Sequence, residues 1–197
     1  MLQKTYSIEL FLWQETPIVK LDDFHIEAAA NLVTSKYHYG VVNASFVLAK
    51  KSYTYLSLYK EFFFTTHKSI LFSRYRLKNG DHLLVANIHA INFREENAFA
   101  KELKRIFLYL EKFNGPLIVA GDFNTWNKSR LLRLYTTMRK LRLRHVPFDQ
   151  TTGIKSFRSN PLDHIFYRNL NLSFFNVVKN HALSDHQPLI AVFEVHR

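Results

Sequence analysis

The stretch from Leu117 to Trp126, LIVAGDFNTW, limits what this chain can fold into more than any other. Leu117-Ile118-Val119-Ala120 is a short apolar run entered from Gly115-Pro116, which reads as a buried strand leaving a turn. Gly121 then permits a sharp change of direction, and Asp122 and Asn124 follow on the exposed lip. Alternate residues of an extended segment point the same way, so Asp122 and Asn124 are expected to face one cavity while Phe123 packs behind them. A carboxylate beside a neutral amide suits a hard cation and a phosphate. The Asp gives an anionic oxygen, and the amide can hydrogen-bond a phosphoryl oxygen or an attacking water. A plain Asp/Asn turn between strand and helix explains the tetrapeptide equally well on its own.

The remaining segments alternate between strand and helix patterns. Ile8 to Trp13 is apolar at most positions and is expected to be a central strand, stopped by Pro17. Glu15 then sits at a strand end, where α/β folds gather their chemistry. Asp22 or Asp23 is expected to cap a helix with Ile26, Ala29, Ala30 and Val33 on one face. Tyr39 to Val47 reads as a strand. Lys50 to Phe64 is crowded with Tyr and Phe and fits no single assignment; its rings either pack or stack on bases. Lys68 to Tyr75 and Asp81 to His89 are two strands joined through Asn79-Gly80, a strong hairpin signal, and the second delivers His89 to its end.

Glu95 to Phe113 is an amphipathic helix with Phe99, Leu103, Ile106, Phe107 and Leu110 on its buried stripe. A third helix follows a cap at Asn127 or Ser129 and carries Leu131, Leu134, Tyr135, Met138 and Leu141 inward. Lys128, Arg130, Arg133, Arg139, Lys140, Arg142 and Arg144 make it basic, either as a solvated face or as a surface for phosphates. Asp163 opens an alternating strand, Leu172 to Val178 and Leu189 to Val195 are two more, and Ser184-Asp185-His186 lies between them. No repeat or linker divides residues 1–197, so one domain is expected.

Charge narrows the partners. A formal net charge of +11 favours a polyanion, either nucleic acid or an acidic lipid surface. There is no apolar run of about 18 residues and hence no expected membrane span. The start lacks a secretory pattern, and the absence of Cys excludes thiolate metal sites and fits a cytoplasmic protein. Glu15, Asp122, Asp163 and Asp185 each stand at the edge of an expected strand. Gathered without a cation they would repel and hold their protons more tightly. A divalent metal removes that difficulty, and oxygen ligands without Cys point to Mg²⁺ or Mn²⁺. His89 and His186 add groups that titrate near neutrality.

Gln14-Glu15, NIHA at Asn87 to Ala90, GDFN at Gly121 to Asn124, LDHIF at Leu162 to Phe166 and SDH at Ser184 to His186 occur in an order that resembles the endonuclease/exonuclease/phosphatase superfamily. The longer strings GVVNAS, VANIHAINF, VAGDFNTW and PLDHIFYR look most like a small bacterial subgroup of it. The resemblance implies a DNase I-like fold, a four-layer α/β/β/α sandwich of two mixed β-sheets with the site at one end. It implies metal ligation by Glu15, Asp122 and Asp185. Asp122 would orient or deprotonate the attacking water, and Asn124 would position water and phosphate. Asp163 would fix the ring of His186, which contacts the scissile phosphate, and His89 would be a second phosphate contact or a general acid. The implied activity is that of a Mg²⁺- or Mn²⁺-dependent phosphodiesterase, nuclease-like, attacking a phosphate ester in line with water. Nucleic acid is the substrate class that the charge favours, with phospholipid and inositol phosphate as alternatives. A binding module for nucleic acid or acidic lipid, impaired in catalysis, is the competing expectation. One departure supports it. The family opens with a strand bearing an Asn near the metal, whereas only fourteen residues precede Glu15 and none is Asn, so the domain is expected to be N-terminally short.

Overall fold

Strand pairing between β-branched and aromatic segments builds two sheets that face each other. The computed structural model describes residues 6–61, 66–92, 95–148, 154–157, 160–179 and 184–195. The smaller sheet contains β1 (Leu10–Pro17), β2 (His25–Val33) and β3 (His38–Ser45) in the order β1-β3-β2, all antiparallel. The larger contains β4 (Lys51–Lys60), β5 (His67–Arg76), β6 (His82–His89), β7 (Leu117–Asp122), β8 (Arg144–His145) and β11 (Asp163–Arg168). Its order is β4-β5-β6-β7-β11-β8, and β6 with β7 is its parallel pair. Two short ribbons complete the strands, β9 (Ser156–Phe157) with β10 (Asn160–Pro161), and β12 (Asn171–Val177) with β13 (Leu189–Glu194).

Helix α1 (Glu96–Leu110) enforces the parallel crossing of β6 to β7, since parallel neighbours need a long return. It packs with α2 (Lys128–Lys140) on the outer face of the larger sheet, where Phe72, Ala86, Ile88 and Val119 meet Phe99, Leu103, Ile106 and Leu134. The other face meets the smaller sheet through Ala29, Val41 and Leu71, and through Leu10 and Leu12 against Tyr75 and Val85. Among the described residues one helical layer is present, and no helix is long and apolar enough to cross a membrane.

Three expectations change. Residues 25–33 are strand β2, not a helix, because pairing with β3 satisfies their backbone. Ala30 and Val33, expected on one helical face with Ile26 and Ala29, are exposed while Ala29 is buried. The spacing of Ile26, Ala29, Ala30 and Val33 suits a helix, yet Gly40 lets β3 come so close to Ala29 that any Cβ there would collide with its carbonyl. Strand β1 is an edge strand among the described residues; its apolar residues alternate between the inter-sheet core and an outer aromatic cluster of Phe11, Trp13, Phe24 and Phe46. Arg130 does not belong to a basic surface. It is fully buried, donating to the carbonyls of Ile91 and Asn124 with its guanidinium over Phe99 and Trp126. The expectation about a strand before Ile8 falls on residues 1–5, and that about Phe62 to Phe64 on 62–65, outside the described residues.

The strands beside the site are held by backbone proximity. Gly121 has φ +134°, and a Cβ there would lie 2.0 Å from the Ile88 carbonyl oxygen across the parallel pair. Gly121→Ala should therefore lower stability by about 3 kcal/mol, combining strain with overpacking. A urea midpoint within error of wild type would refute this.

Candidate active site

Three residues at the ends of three adjacent strands form one transverse row. His89 pairs with Asp122 across the parallel β6–β7 ladder, and Asp122 pairs with Asp163 across the antiparallel β7–β11 ladder. Directly paired residues share a sheet face, so all three side chains point towards the smaller sheet. That sheet contributes Glu15. The β1–β3 register slips between Trp13 and Thr16, and Glu15 in this bulge has φ +50°. The extra residue throws the carboxylate outward to 3.6 Å from His89 Nε2.

Its neighbour Gln14 anchors the bulge from below. Gln14 Nε2 donates to Asn87 Oδ1 at 2.6 Å, and Asn87 Nδ2 donates to the carbonyls of Trp13 and Val42 and to Asn43 Oδ1. Asn43 in turn donates to Ser73. Asn43, Ser73 and Asn87 are fully buried between the sheets. Asn87→Ala strands Asn43 and Gln14 without this partner, so a loss of about 2 kcal/mol is expected. Because the same contact sets the bulge, turnover of the folded variant should fall as well. Unchanged stability and turnover would make the network dispensable.

Asp122 and Asn124 do meet, though not through an extended segment. Asn124 has φ +50°, and this left-handed turn brings its backbone N–H to Asp122 Oδ1 at 2.8 Å. Its side-chain amide donates to the Ala90 carbonyl at 2.9 Å, tying the turn to the end of β6. Asn tolerates that backbone region better than most residues. Thr125 Oγ1 then bonds the Pro161 carbonyl and His164. His164 follows Asp163 but faces the helices, buried beside His145, and that burial pushes its pKa down to about 3.

The electrostatics divide the groups by role. Burial pushes His89 down to about 3, aided by the charge of Lys68, so it is a neutral imidazole and its contacts with Glu15 and Asp122 are not ion pairs. Burial, then the charge of Asp163, raises Asp122 to about 7. His186 Nδ1 lies 2.7 Å from Asp163 Oδ2, and this hydrogen bond raises His186 against the opposing effect of burial. Burial opposes ionisation of Glu15, but the hydrogen bond from Lys68 at 2.8 Å and nearby positive charge hold it below its ordinary value. One ligand atom from each of Asp122, Asp163 and His186 lies within 4.8 Å of the others. Two crowded carboxylates, one of them retaining its proton, make a donor set that fits a divalent cation.

Of the expected residues, Glu15, His89, Asp122, Asn124, Asp163 and His186 converge. Asp185 stands beside this group and its charge acts on His186, but its exposed carboxylate is paired with Lys155 and lies outside the cluster of Asp122, Asp163 and His186. Lys68 and Asn87 escaped the sequence reading. In a chain with 27 Lys and Arg nothing marks Lys68, and Asn87 was visible only as part of the NIHA string.

A family model described as Endonuclease/Exonuclease/phosphatase family matches residues 13–186. A UPF0294 protein of Vibrio parahaemolyticus is 36% identical over 155 residues, covering 78% of this chain and 54% of that protein. The chain thus spans about half the length of such curated relatives. Among solved structures, an endonuclease/exonuclease/phosphatase family protein from Leptotrichia buccalis superposes with TM-score 0.73 at 16% identity, over 98% of this chain and 90% of that one. A 3′ phosphatase from Neisseria bound to product DNA hairpin gives TM-score 0.65 at 14% identity, over 98% and 91%. The two facing sheets are an α/β sandwich of the DNase I-like kind, and the chain belongs to the endonuclease/exonuclease/phosphatase family.

Proposed function

We propose that this chain is a phosphoester hydrolase of the phosphodiesterase or nuclease type, dependent on Mg²⁺ or Mn²⁺. The observation that carries this reading is the row His89, Asp122, Asp163 faced by Glu15 and capped by His186. Asp122, whose proton affinity is raised to about 7, is matched to accept a proton from an attacking water near neutral pH. Asn124 holds one of its oxygens through the backbone N–H and leaves the other for that water. His186, whose protonated form is favoured by the hydrogen bond to Asp163, would present positive charge to a phosphoryl oxygen. Neutral His89 hydrogen-bonds the phosphoryl group rather than acting as a general acid, since burial keeps its ring uncharged.

Glu15 and Asp122 are the carboxylates we assign to the metal, which supplies neutralisation of charge developing on the phosphoryl oxygens. Asp185, the third ligand by resemblance, would have to leave Lys155 to join them. Nucleic acid is the substrate class we favour, from the charge of +11 and from the DNA product held by the Neisseria relative. The Lys68–Glu15 ion pair favours a second reading, a phosphate-binding module that keeps the fold with reduced activity. The deciding assay is a panel of single- and double-stranded nucleic acids, phospholipids and inositol phosphates with Mg²⁺, Mn²⁺ and EDTA. Metal-dependent cleavage of a nucleic acid is expected. Binding without turnover of any member would establish the second reading.

A further inference from the structure

The end of the sandwich remote from the site carries its own pattern. Strand β6 runs from His82 to His89, so this end lies about 25 Å from the site at the usual rise per residue. Here the loop from β3 to β4 exposes consecutive apolar side chains, with Phe46 43%, Val47 55% and Leu48 63% accessible. The loop is built rather than loose. Ser45 Oγ accepts from the Val47 N–H and donates to its carbonyl, closing a tight turn. The Phe46 ring stacks on Phe24 at 4.6 Å, while Ala49 is buried against Tyr75 and Val85. Val47 and Leu48 are left at the tip.

Basic residues border it on the β4–β5 side, while the exposed acids Glu9, Asp22 and Asp23 lie on the β1–β2 side, where the Phe46 N–H bonds the Glu9 carbonyl. Lys50 and Lys51 follow in the chain, Lys51 pairs in register with Arg74, and Lys50 N–H bonds the Arg74 carbonyl. Arg76 lies beyond on the same strand, and all four side chains are exposed. The ion pairs of the described residues include none of them, although Lys51 lies over the Tyr53 ring and Arg74 over that of Phe113. His82, across from Arg76, is held below its usual range by slight burial and by the charges of Arg74, Lys50 and Arg76, so these cations act on one place.

We propose that this end docks on an anionic bilayer, with Val47 and Leu48 entering the interface and Lys50, Lys51, Arg74 and Arg76 meeting the headgroups. An aliphatic tip with basic residues gathered along its β4–β5 side suits a surface that is anionic outside and apolar beneath. Nucleic acid offers Val47 and Leu48 nothing comparable, because bases stack on aromatic faces and the Phe46 ring is already stacked on Phe24. The inference does not rest on the hydrolase assignment, since none of these residues belongs to the site.

The test uses the full chain with phosphatidylcholine vesicles and with mixed phosphatidylcholine–phosphatidylglycerol vesicles, read by co-sedimentation. Binding to the mixed vesicles alone is expected. V47S/L48S, changing exposed residues, should weaken it by about tenfold. K50E/K51E should abolish it at low salt. Fluorescence of Leu48→Trp should shift to the blue on mixed vesicles and stay unchanged with oligonucleotides. No binding to the mixed vesicles, or equal binding by wild type and both double variants, overturns the proposal. So does an oligonucleotide that binds through Lys50 and Lys51 and displaces the vesicles while V47S/L48S binds them normally.

Discussion

Asp122→Asn should keep its fold and lose turnover by about two orders of magnitude or more, the usual scale for a positioned proton acceptor or electrostatic group. The amide preserves shape and the contact with the Asn124 N–H but takes up no proton from water. Stability should move the other way. Asp122 keeps its proton to about 7 in the folded chain, against 3.8 for an ordinary Asp. Its contribution to stability is therefore complete below the ordinary value and is lost as pH rises through about 7. An amide pays no such penalty, so above that pH the variant should melt at or above wild type. His186→Ala should cost similar turnover by removing the charge held on Asp163. His186 is raised above 6.5, so its contribution is present below that value and fades as pH rises through the folded value. The stability cost of His186→Ala should thus be largest in acid. Near-normal turnover in either variant would remove that residue from the chemistry.

Excess EDTA should abolish hydrolysis, and Mg²⁺ or Mn²⁺ should restore it. Asp122 and Asp163 stand directly opposite in register, and Asp122 is buried enough to hold its proton when nothing compensates its charge. A divalent cation bound to the folded chain and not to the unfolded one raises the melting temperature by mass action. The same titration therefore has a readout apart from activity: a saturable increase in melting temperature for wild type, much reduced in Asp122→Asn and Glu15→Gln. Activity that persists in chelator, with no metal-dependent shift in melting, would remove the metal from the mechanism.

Glu15 and Asn124 show how local pattern and tertiary setting share the work. Both were legible as polar residues at the ends of apolar runs. Their directions were not, because each depends on one residue with positive φ that hydrogen bonds from elsewhere hold in place. Asp185 is the converse case, a match to a short string whose side chain is held by a lysine 30 residues away in the chain. Residues 25–33 misled because alanine-rich apolar spacing is compatible with a helix until a partner strand is present.

By itself the sequence determined the strands that carry His89, Asp122 and Asp163, the buried stripes of α1 and α2, and the residue types able to handle phosphate and metal. These follow from periodicity and side-chain chemistry, which act over a few neighbours. Only the tertiary structure decided that the three strand ends lie in one row, that Lys68 pairs with Glu15, and that Arg130 is core while Lys50 and Arg74 are surface. Register between strands distant in sequence and the dielectric around each charge arise when the sheets close on one another, and no local window of residues contains them.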